Sequence, residues 1–216
     1  MIGCAIEGAS SEKYVDFVRE NVFRSAGMTV TPWDDRLAVI AHRTRFYSKA
    51  KSGVVENANF LDASYKIPGG GWLSSADDMA KFEIAIVSDQ LMKRTTRDVM
   101  WTSRPLLPRP GAEHTGYASG WGNSEIDGAT DYDHDGCQQG TSTSIIVIPE
   151  RNAGVVVLIN MDGLDASKLA TEVMKLVIGH RERVTRCVRS LERVDGKACA
   201  RRSLSGEGTK SFLGGS

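Results

Sequence analysis

The sequence predicts an α+β fold in which helices precede an antiparallel sheet and one further helix covers that sheet. Thr141 to Ile148 and Gly154 to Asn160 are β-branched, apolar runs joined by Pro149-Glu150-Arg151-Asn152, the pattern of consecutive antiparallel strands around a turn. Upstream, Met79, Phe82, Ile86 and Val87 recur at helical spacing. Downstream, Leu164 to Ile178 does the same through Leu169, Val173, Met174, Leu176 and Val177. Helices grouped before strands, rather than alternating with them, indicate α+β architecture.

Taken in order, Met1 to Met28 reads as two helical pieces. Ile2 to Glu7 forms the first and breaks at Gly8. Ser10 or Ser11 caps the second, in which Tyr14, Val15, Phe17, Val18, Val22 and Phe23 share a face and Gly27 is the stop. Thr29 to Pro68 is irregular, with a short strand expected at Leu37 to Ala41 and a polar run from Tyr47 to Asn59. An excursion of this length in a compact domain suggests a surface that flanks a cleft. Gly69-Gly70-Gly71 then leads into a helix. Ser75 with Asp78 three residues on makes a capping box, and acidic residues occupy the first turn, where the helix dipole favours them. No Gly-Lys-Ser/Thr follows the glycines, so they are not a phosphate loop. A helix at Thr96 to Trp101 is closed by Pro105, Pro108 and Pro110, and Tyr117 to Glu125 opens the strand region.

The chain has 216 residues, 27 basic and 27 acidic, and a hydrophobic fraction of 41%. That is enough apolar material for a core, and the zero net charge gives no basis for nucleic acid as the main partner. Cys4, Cys137, Cys187 and Cys199 show neither C-x-x-C nor His/Cys spacing suited to zinc, so no metal or other cofactor is expected. No run approaches the roughly 20 apolar residues that span a bilayer. The first residues lack the basic region and apolar core of a signal peptide, and the compartment is left unassigned. Beyond His180 the composition becomes basic and Ser/Gly-rich, through Arg181, Arg183, Arg186, Arg189, Arg193, Arg201 and Arg202. Val184, Val188 and Leu191 could extend the preceding helix, and 181–216 otherwise reads as a solvated tail. No stacking aromatics lie among these arginines, which ranks nucleic-acid binding last.

One stretch carries chemistry: Tyr132-Asp133-His134-Asp135-Gly136-Cys137, a polar segment with one His-x-Gly that runs into the strand region. Alone it is a weak signal. In the company of Gly69 to Phe82, Met100-Trp101-Thr102, Tyr117-Ala118-Ser119-Gly120-Trp121-Gly122, Pro149-Glu150 and Val155 to Asn160, it resembles the serine β-lactamase-like superfamily. That superfamily comprises class C β-lactamases, penicillin-binding DD-peptidases and related esterases. Arg45-Phe46-Tyr47 and Asp62 to Lys66 look most like the branch with the mitochondrial β-lactamase-like protein and its bacterial relatives. The resemblance covers residues 1–180, with 1–115 the mostly helical and loop part and 116–180 the strands and covering helix.

It implies a serine hydrolase that cleaves an ester or amide through an acyl-enzyme. The implied fold is β-lactamase/transpeptidase-like, with an incomplete antiparallel sheet, the C-terminal helix on it and part of the helical subdomain. Of the family's three motifs only the third maps onto this chain. His134 takes the Lys/His position, Gly136 permits close approach of substrate to the strand, and the Cys137 N–H takes the place of the oxyanion donor. Asp135 departs from the usual small or hydroxylated residue, and a carboxylate there is expected to repel an acidic substrate and to raise the proton affinity of His134. Asp135 and Tyr117 are the expected substrate contacts.

The Ser-x-x-Lys nucleophile motif and the Tyr-x-Asn loop have no counterpart. Ser10 with Lys13 and Ser48 with Lys51 match the first by spacing, but about one such match arises by chance. The chain is therefore expected to be inert by itself and to act on a small molecule or peptide only when completed. The alternative is a non-catalytic binding or assembly module of the same fold. In either case an exposed sheet is expected to favour self-association.

Overall fold

The computed structural model describes residues 1–102 and 116–179. It contains two compact units, Met1–Lys175 and Leu176–Ser216. In the first unit, α1 (Ile2–Ser10) is followed by α2 (Tyr14–Val18), which continues through a π-helical turn (Arg19–Phe23) into α3 (Arg24–Ala26). A small hairpin, β1 (Tyr47–Lys49) and β2 (Val55–Asn57), and a 3-10 turn (Ser64–Gly69) precede α4 (Ala76–Val87) and α5 (Arg94–Trp101). Then β3 (Gly116–Tyr117), β4 (Gly122–Ile126), β5 (Ala129–Gln138), β6 (Thr141–Ile148) and β7 (Ala153–Ile159) form one antiparallel meander in the order β3-β4-β5-β6-β7. Helix α6 follows at residues 166–179, of which 176–179 are the described part of the second unit.

Alternation along β5 and β6 gives the sheet two faces. Tyr132, Ile145 and Val147 share the face that packs with Ile86, Trp101 and Trp121 of the α4–α5 side. Trp101 stacks on Tyr132 at 4.2 Å and meets Trp121 edge-on at 5.9 Å, contacts worth about 0.5–1.5 kcal/mol each beyond the area they bury. Buried Arg97 lies 5.3 Å from the centre of the Trp101 ring. Its Nη1 donates to the carbonyls of Ile86 and Val87 and to Asp89, so a side chain of α5 caps the C-terminal end of α4. On the opposite face lies α6, whose Ala166 amide donates to the hydroxyl of Ser142.

Asp78 fastens α4 to the chain before it. Ser75 caps the helix by accepting from the Asp78 amide at 3.1 Å, as the capping box requires. The Asp78 carboxylate, however, is fully buried and accepts from the Val30 amide, the Thr31 hydroxyl and Lys81. Burial alone would raise its pKa, but these donors outweigh it and hold the carboxyl at about 2, from an ordinary 3.8. Glu83, one helical face away, has the opposite environment. It is buried against Gly154 of β7, where an added Cβ would lie 2.5 Å from its carboxyl oxygen. Burial pushes its pKa up to about 8, partly offset by the Val155 amide.

Five expectations are corrected. The helix does not break at Gly8, around which an added Cβ would meet nothing within 4 Å; it runs to Ser10 and ends at Ser11 with a left-handed φ of 61°. Neither serine caps α2: Ser10 donates back to the Ile6 carbonyl, and the carboxylate of Glu7 accepts from the Tyr14 amide at 2.9 Å. Leu37 to Ala41 is not a strand. Among the described residues no neighbouring strand covers its exposed Leu37 and Val39, and the local Asp35–Leu37 and Arg43–Asp34 contacts hold it as a loop. The polar run Tyr47 to Asn59 instead contains the β1–β2 hairpin, docked through Tyr47, whose N–H donates to Asn160 O and whose carbonyl accepts from Asp162. Tyr117 to Glu125 is two strands, reversed at Ser119-Gly120, where Gly120 takes φ 82°. The expected closing prolines, Pro105, Pro108 and Pro110, and the tail from His180 lie outside the described residues.

Asp78→Asn is expected to lower stability by about 2 kcal/mol, because a neutral amide cannot serve the three donors equally. Since the folded pKa lies below the unfolded one, the stability contributed by Asp78 is present above pH about 4 and is lost as pH falls through 2. Urea melts between pH 2 and 5 should show this loss in the wild type and its absence in the variant. Glu83 acts with the reverse sign: its contribution is complete below pH about 4.5 and is lost as pH rises through 8. Melts from pH 4 to 9 should flatten in Glu83→Gln, and an unchanged slope would contradict the assignment.

Candidate active site

The site is built on the end of β5. The two-residue connection Asp127-Gly128 closes β4 and β5 on the pair Ile126 and Ala129, and Gln139-Gly140 closes β5 and β6 on Gln138 and Thr141. A closing pair of this kind exchanges both backbone hydrogen bonds, which fixes the phase of the ladder. Odd-numbered residues of β5 therefore direct N–H and C=O toward β4, and even-numbered ones toward β6. β4 starts at Gly122, opposite Asp133, whereas β5 continues to Gln138. Among the described residues no strand covers Asp135 and Cys137 on that side, so their backbone groups face outward along an open edge.

Side chains divide differently. His134 is exposed and, with Gly136, shares the α4–α5 side of the sheet with Ile145 and Thr143, its register partners' row. Asp135 and the exposed thiol of Cys137 project to the α6 side. Tyr117 pairs with Gly122 and so belongs to the row of Asp133, on the same side as Asp135. His134, Asp135, Gly136 and Cys137 thus lie along the end of β5, whereas Tyr117 lies two strands away on β3, and Asp135 and His134 occupy opposite faces. The expected direct influence of that carboxylate on the imidazole rests on adjacency in sequence only.

Contacts from three other segments hold the strand end. Gln138 Nε2 donates to the Gly70 carbonyl at 2.6 Å, which brings the triple-glycine segment against β5. At Gly140, with φ 77°, an added Cβ would lie 2.5 Å from Phe46 Cβ and 2.8 Å from Ala58 Cβ, so the β5–β6 turn seats directly on the β1–β2 hairpin. At Gly136 an added Cβ would lie 2.6 Å from Thr143 Oγ1. The glycine expected to admit substrate also makes room for a hydroxyl from the neighbouring strand.

At the strand end, beside the start of α6, a cleft of about 450 Å³ is lined by Asp135, Cys137, Ser142, Thr143, Asp165 and Ser167, among others. Asp165 caps α6: it accepts from the Lys168 amide and the Ser167 hydroxyl, which hold its carboxyl below the ordinary value. Sequence reading passed over Ser142, Thr143 and Asp165. The available signal was the four consecutive hydroxyl residues Thr141 to Ser144, a stretch polar on both faces at the start of an otherwise apolar strand. Among the described residues no group of His, Cys, Asp and Glu could hold a metal ion, and no helix is long and apolar enough to cross a membrane.

The two spacing matches to Ser-x-x-Lys are placed as follows. Ser10 is in the last turn of α1 with its hydroxyl donated to Ile6, and Ser48 is the middle residue of β1. Neither begins a helix, where the family's serine stands. Gly136→Ala is expected to cost about 1–3 kcal/mol through the Thr143 clash, and Gly136→Ala/Thr143→Ala should recover most of that loss in chemical melts. Equal loss in both variants would contradict the packing account.

Known proteins resemble this chain in sequence and in fold. The family model described as Beta-lactamase matches residues 1–177. The mitochondrial serine beta-lactamase-like protein LACTB is 28% identical over 175 residues in both mouse and human, covering 69% of this chain and 31% of each relative. The chain thus spans about a third of the length of these relatives. Among solved structures, the octameric penicillin-binding protein homologue from Pyrococcus abyssi has a TM-score of 0.71 at 24% identity, over 82% of this chain and 40% of that one. The D-stereospecific amidohydrolase from a Streptomyces species has a TM-score of 0.68 at 20% identity, over 80% and 51%. These likenesses establish the fold as β-lactamase/transpeptidase-like, and the match over residues 1–177 places the chain in the β-lactamase family of serine hydrolases.

Proposed function

We propose that this chain supplies the substrate-holding strand of a serine β-lactamase-like hydrolase and does not itself carry out acyl transfer. The observation that carries the reading is the open edge of β5 beyond Asp133, next to exposed His134. An extended acyl or peptidyl group can align along that edge and hydrogen-bond to the outward backbone groups of Asp135 and Cys137. The Cys137 N–H is the oxyanion donor in this reading. A preorganised backbone donor of this kind stabilises the charge that develops on the carbonyl oxygen without reorganising as the reaction proceeds. His134, on the α4–α5 side of the same strand end, holds the acidic or polar end of the substrate. Asp135 and Tyr117 touch only a ligand that reaches over the edge to the α6 side.

The chemistry needs an activated serine. Ser10 and Ser48 both lack the helix-start setting that presents a hydroxyl to a lysine one turn on, so the nucleophile and its base come from family sequence that this chain does not span. The family's reaction class implies an ester or amide substrate. A non-catalytic module with the same strand would bind ligand at the same edge, and labelling separates the two readings.

Purified chain treated with a fluorophosphonate or a fluorescent penicillin is expected to show no mass adduct by intact-mass analysis. An adduct mapped to Ser10 or Ser48 would contradict the reading. Joined behind a front portion from a family relative that contains Ser-x-x-Lys and Tyr-x-Asn, the chain should become labelled, with His134→Ala lowering the rate by about a hundredfold. Failure of the joined protein to label, although folded, would favour the non-catalytic module.

A further inference from the structure

On the α4–α5 face, the side chains at the end of β5 bound a bay of fixed length. Even-numbered residues of the strand point to this face, so His134, Gly136 and Gln138 follow one another along it. His134 and Gln138 stand four residues apart, about 13 Å of strand at roughly 3.3 Å per residue. Between them Gly136 contributes no side chain, and the Thr143 hydroxyl lies beside it, 2.6 Å from where a Cβ would stand. The bay thus has a glycine floor, a hydroxyl at its rear and an imidazole at one end.

Gln138 closes the other end. Its Nε2 donates to the Gly70 carbonyl at 2.6 Å, and a Cβ on Gly70 would lie 2.7 Å from that nitrogen. The carboxamide therefore occupies the space that a side chain at position 70 would take, and the φ of 130° at Gly70 favours glycine for a second reason. Gln138 Oε1 is enclosed and has no hydrogen-bond partner among the described residues, so one bond and close contact hold the group. The loop it rests on is itself fixed. The Gly71 amide donates to Ile67 and the Gly71 carbonyl accepts from the Asp34 amide at 2.8 Å, while a Cβ on Gly71 would lie 2.7 Å from Ile67 Cα.

We propose that Gln138 is a specificity-determining residue: its carboxamide, braced on Gly70, restricts the bay to one short, uncharged acyl group of the substrate. The proposal rests on the hydrolase reading, because it needs a ligand aligned on the edge of β5. An extended ligand directs successive groups to alternate faces, so a group beside Cys137 that turns to the His134 side enters the bay. An imidazole, a hydroxyl and a carboxamide line it, and none of them carries the fixed charge that a desolvated ionic group would need as a partner. Length is limited by exclusion: a longer group meets a wall that has a strand behind it on one side and a fixed loop on the other.

The test is an NMR titration of the full chain with two neutral probes, N-acetylglycinamide and N-phenylacetylglycinamide, read at the Asp135 and Cys137 amides. In the unaltered chain the acetyl probe is expected to bind at least about tenfold more tightly than the phenylacetyl probe. Gln138→Ala should bring the two affinities within about twofold by strengthening phenylacetyl binding, and Gln139→Ala, at the exposed neighbouring turn position, should leave the preference unchanged. A reading that needs no variant is the Gln138 side-chain amide, whose protons should exchange slowly in the free chain because Nε2 is bonded to Gly70. Probes that bind at the two amides with a preference that Gln138→Ala leaves unaltered overturn the proposal alone. So does a shift of that preference by Gln139→Ala, or a Gln138 side-chain amide that exchanges freely. Failure of both probes to perturb Asp135 and Cys137 in any of the proteins overturns the reading of the edge, and this proposal with it.

Discussion

The unequal lengths of neighbouring strands determine most of what this molecule offers. β5 has ten residues, against five in β4 and eight in β6. Among the described residues, the surplus leaves the end of β5 beyond Asp133 supported along one side by β6 and open along the other. A strand held on one side keeps its shape while its outward N–H and C=O groups stay available to an added extended segment. The turn chemistry at Asp127-Gly128 and Gln139-Gly140 decides which residues face outward, and a shift of one residue would present Gly136 in place of Asp135 and Cys137.

Everything else keeps this strand end in place. The aromatic stack of Trp101 on Tyr132 anchors the middle of β5 to α5, and Arg97 ties α5 to the end of α4. Asp78 secures the start of α4 to Val30 and Thr31, and Gln138 reaches the Gly70 carbonyl just before that helix. The segment from Val30 to Gly71 is thereby drawn across the sheet's end despite its lack of regular structure. Of the two buried carboxyls on α4, one is stabilised as an anion by its donors and the other is driven toward neutrality by burial. The helix consequently loses support at both extremes of pH, through different residues.

The sequence made the helix faces and the meander legible because period and turn residues are local signals. Met79, Phe82, Ile86 and Val87 pack where their spacing placed them, and Ser75 caps α4 as its position suggested. Signals that depend on distant partners were less legible. Leu37 and Val39 have strand composition but no strand partner among the described residues, whereas Tyr47 to Lys49 became a strand because Val55 to Asn57 paired with it and Asn160 and Asp162 bonded to Tyr47. The Glu7 carboxylate caps a helix seven residues away in sequence, where a rule based on the nearest serine chose Ser10. At the site, the resemblance drew attention to His134, Gly136 and Cys137, but the division of side chains between two faces, and the cleft with Ser142 and Asp165, emerged only with the register.

The central claim is that Asp135 and Cys137 present free backbone groups on an otherwise fixed strand. Residue-resolved amide hydrogen exchange of the purified chain tests it most directly. Protection of His134, Gly136 and Gln138, alternating with rapid exchange at Asp135 and Cys137, is the predicted pattern. Uniform protection from His134 to Gln138 would mean that the edge is already covered, and uniform rapid exchange would mean that the strand end is not held; either result would contradict the account.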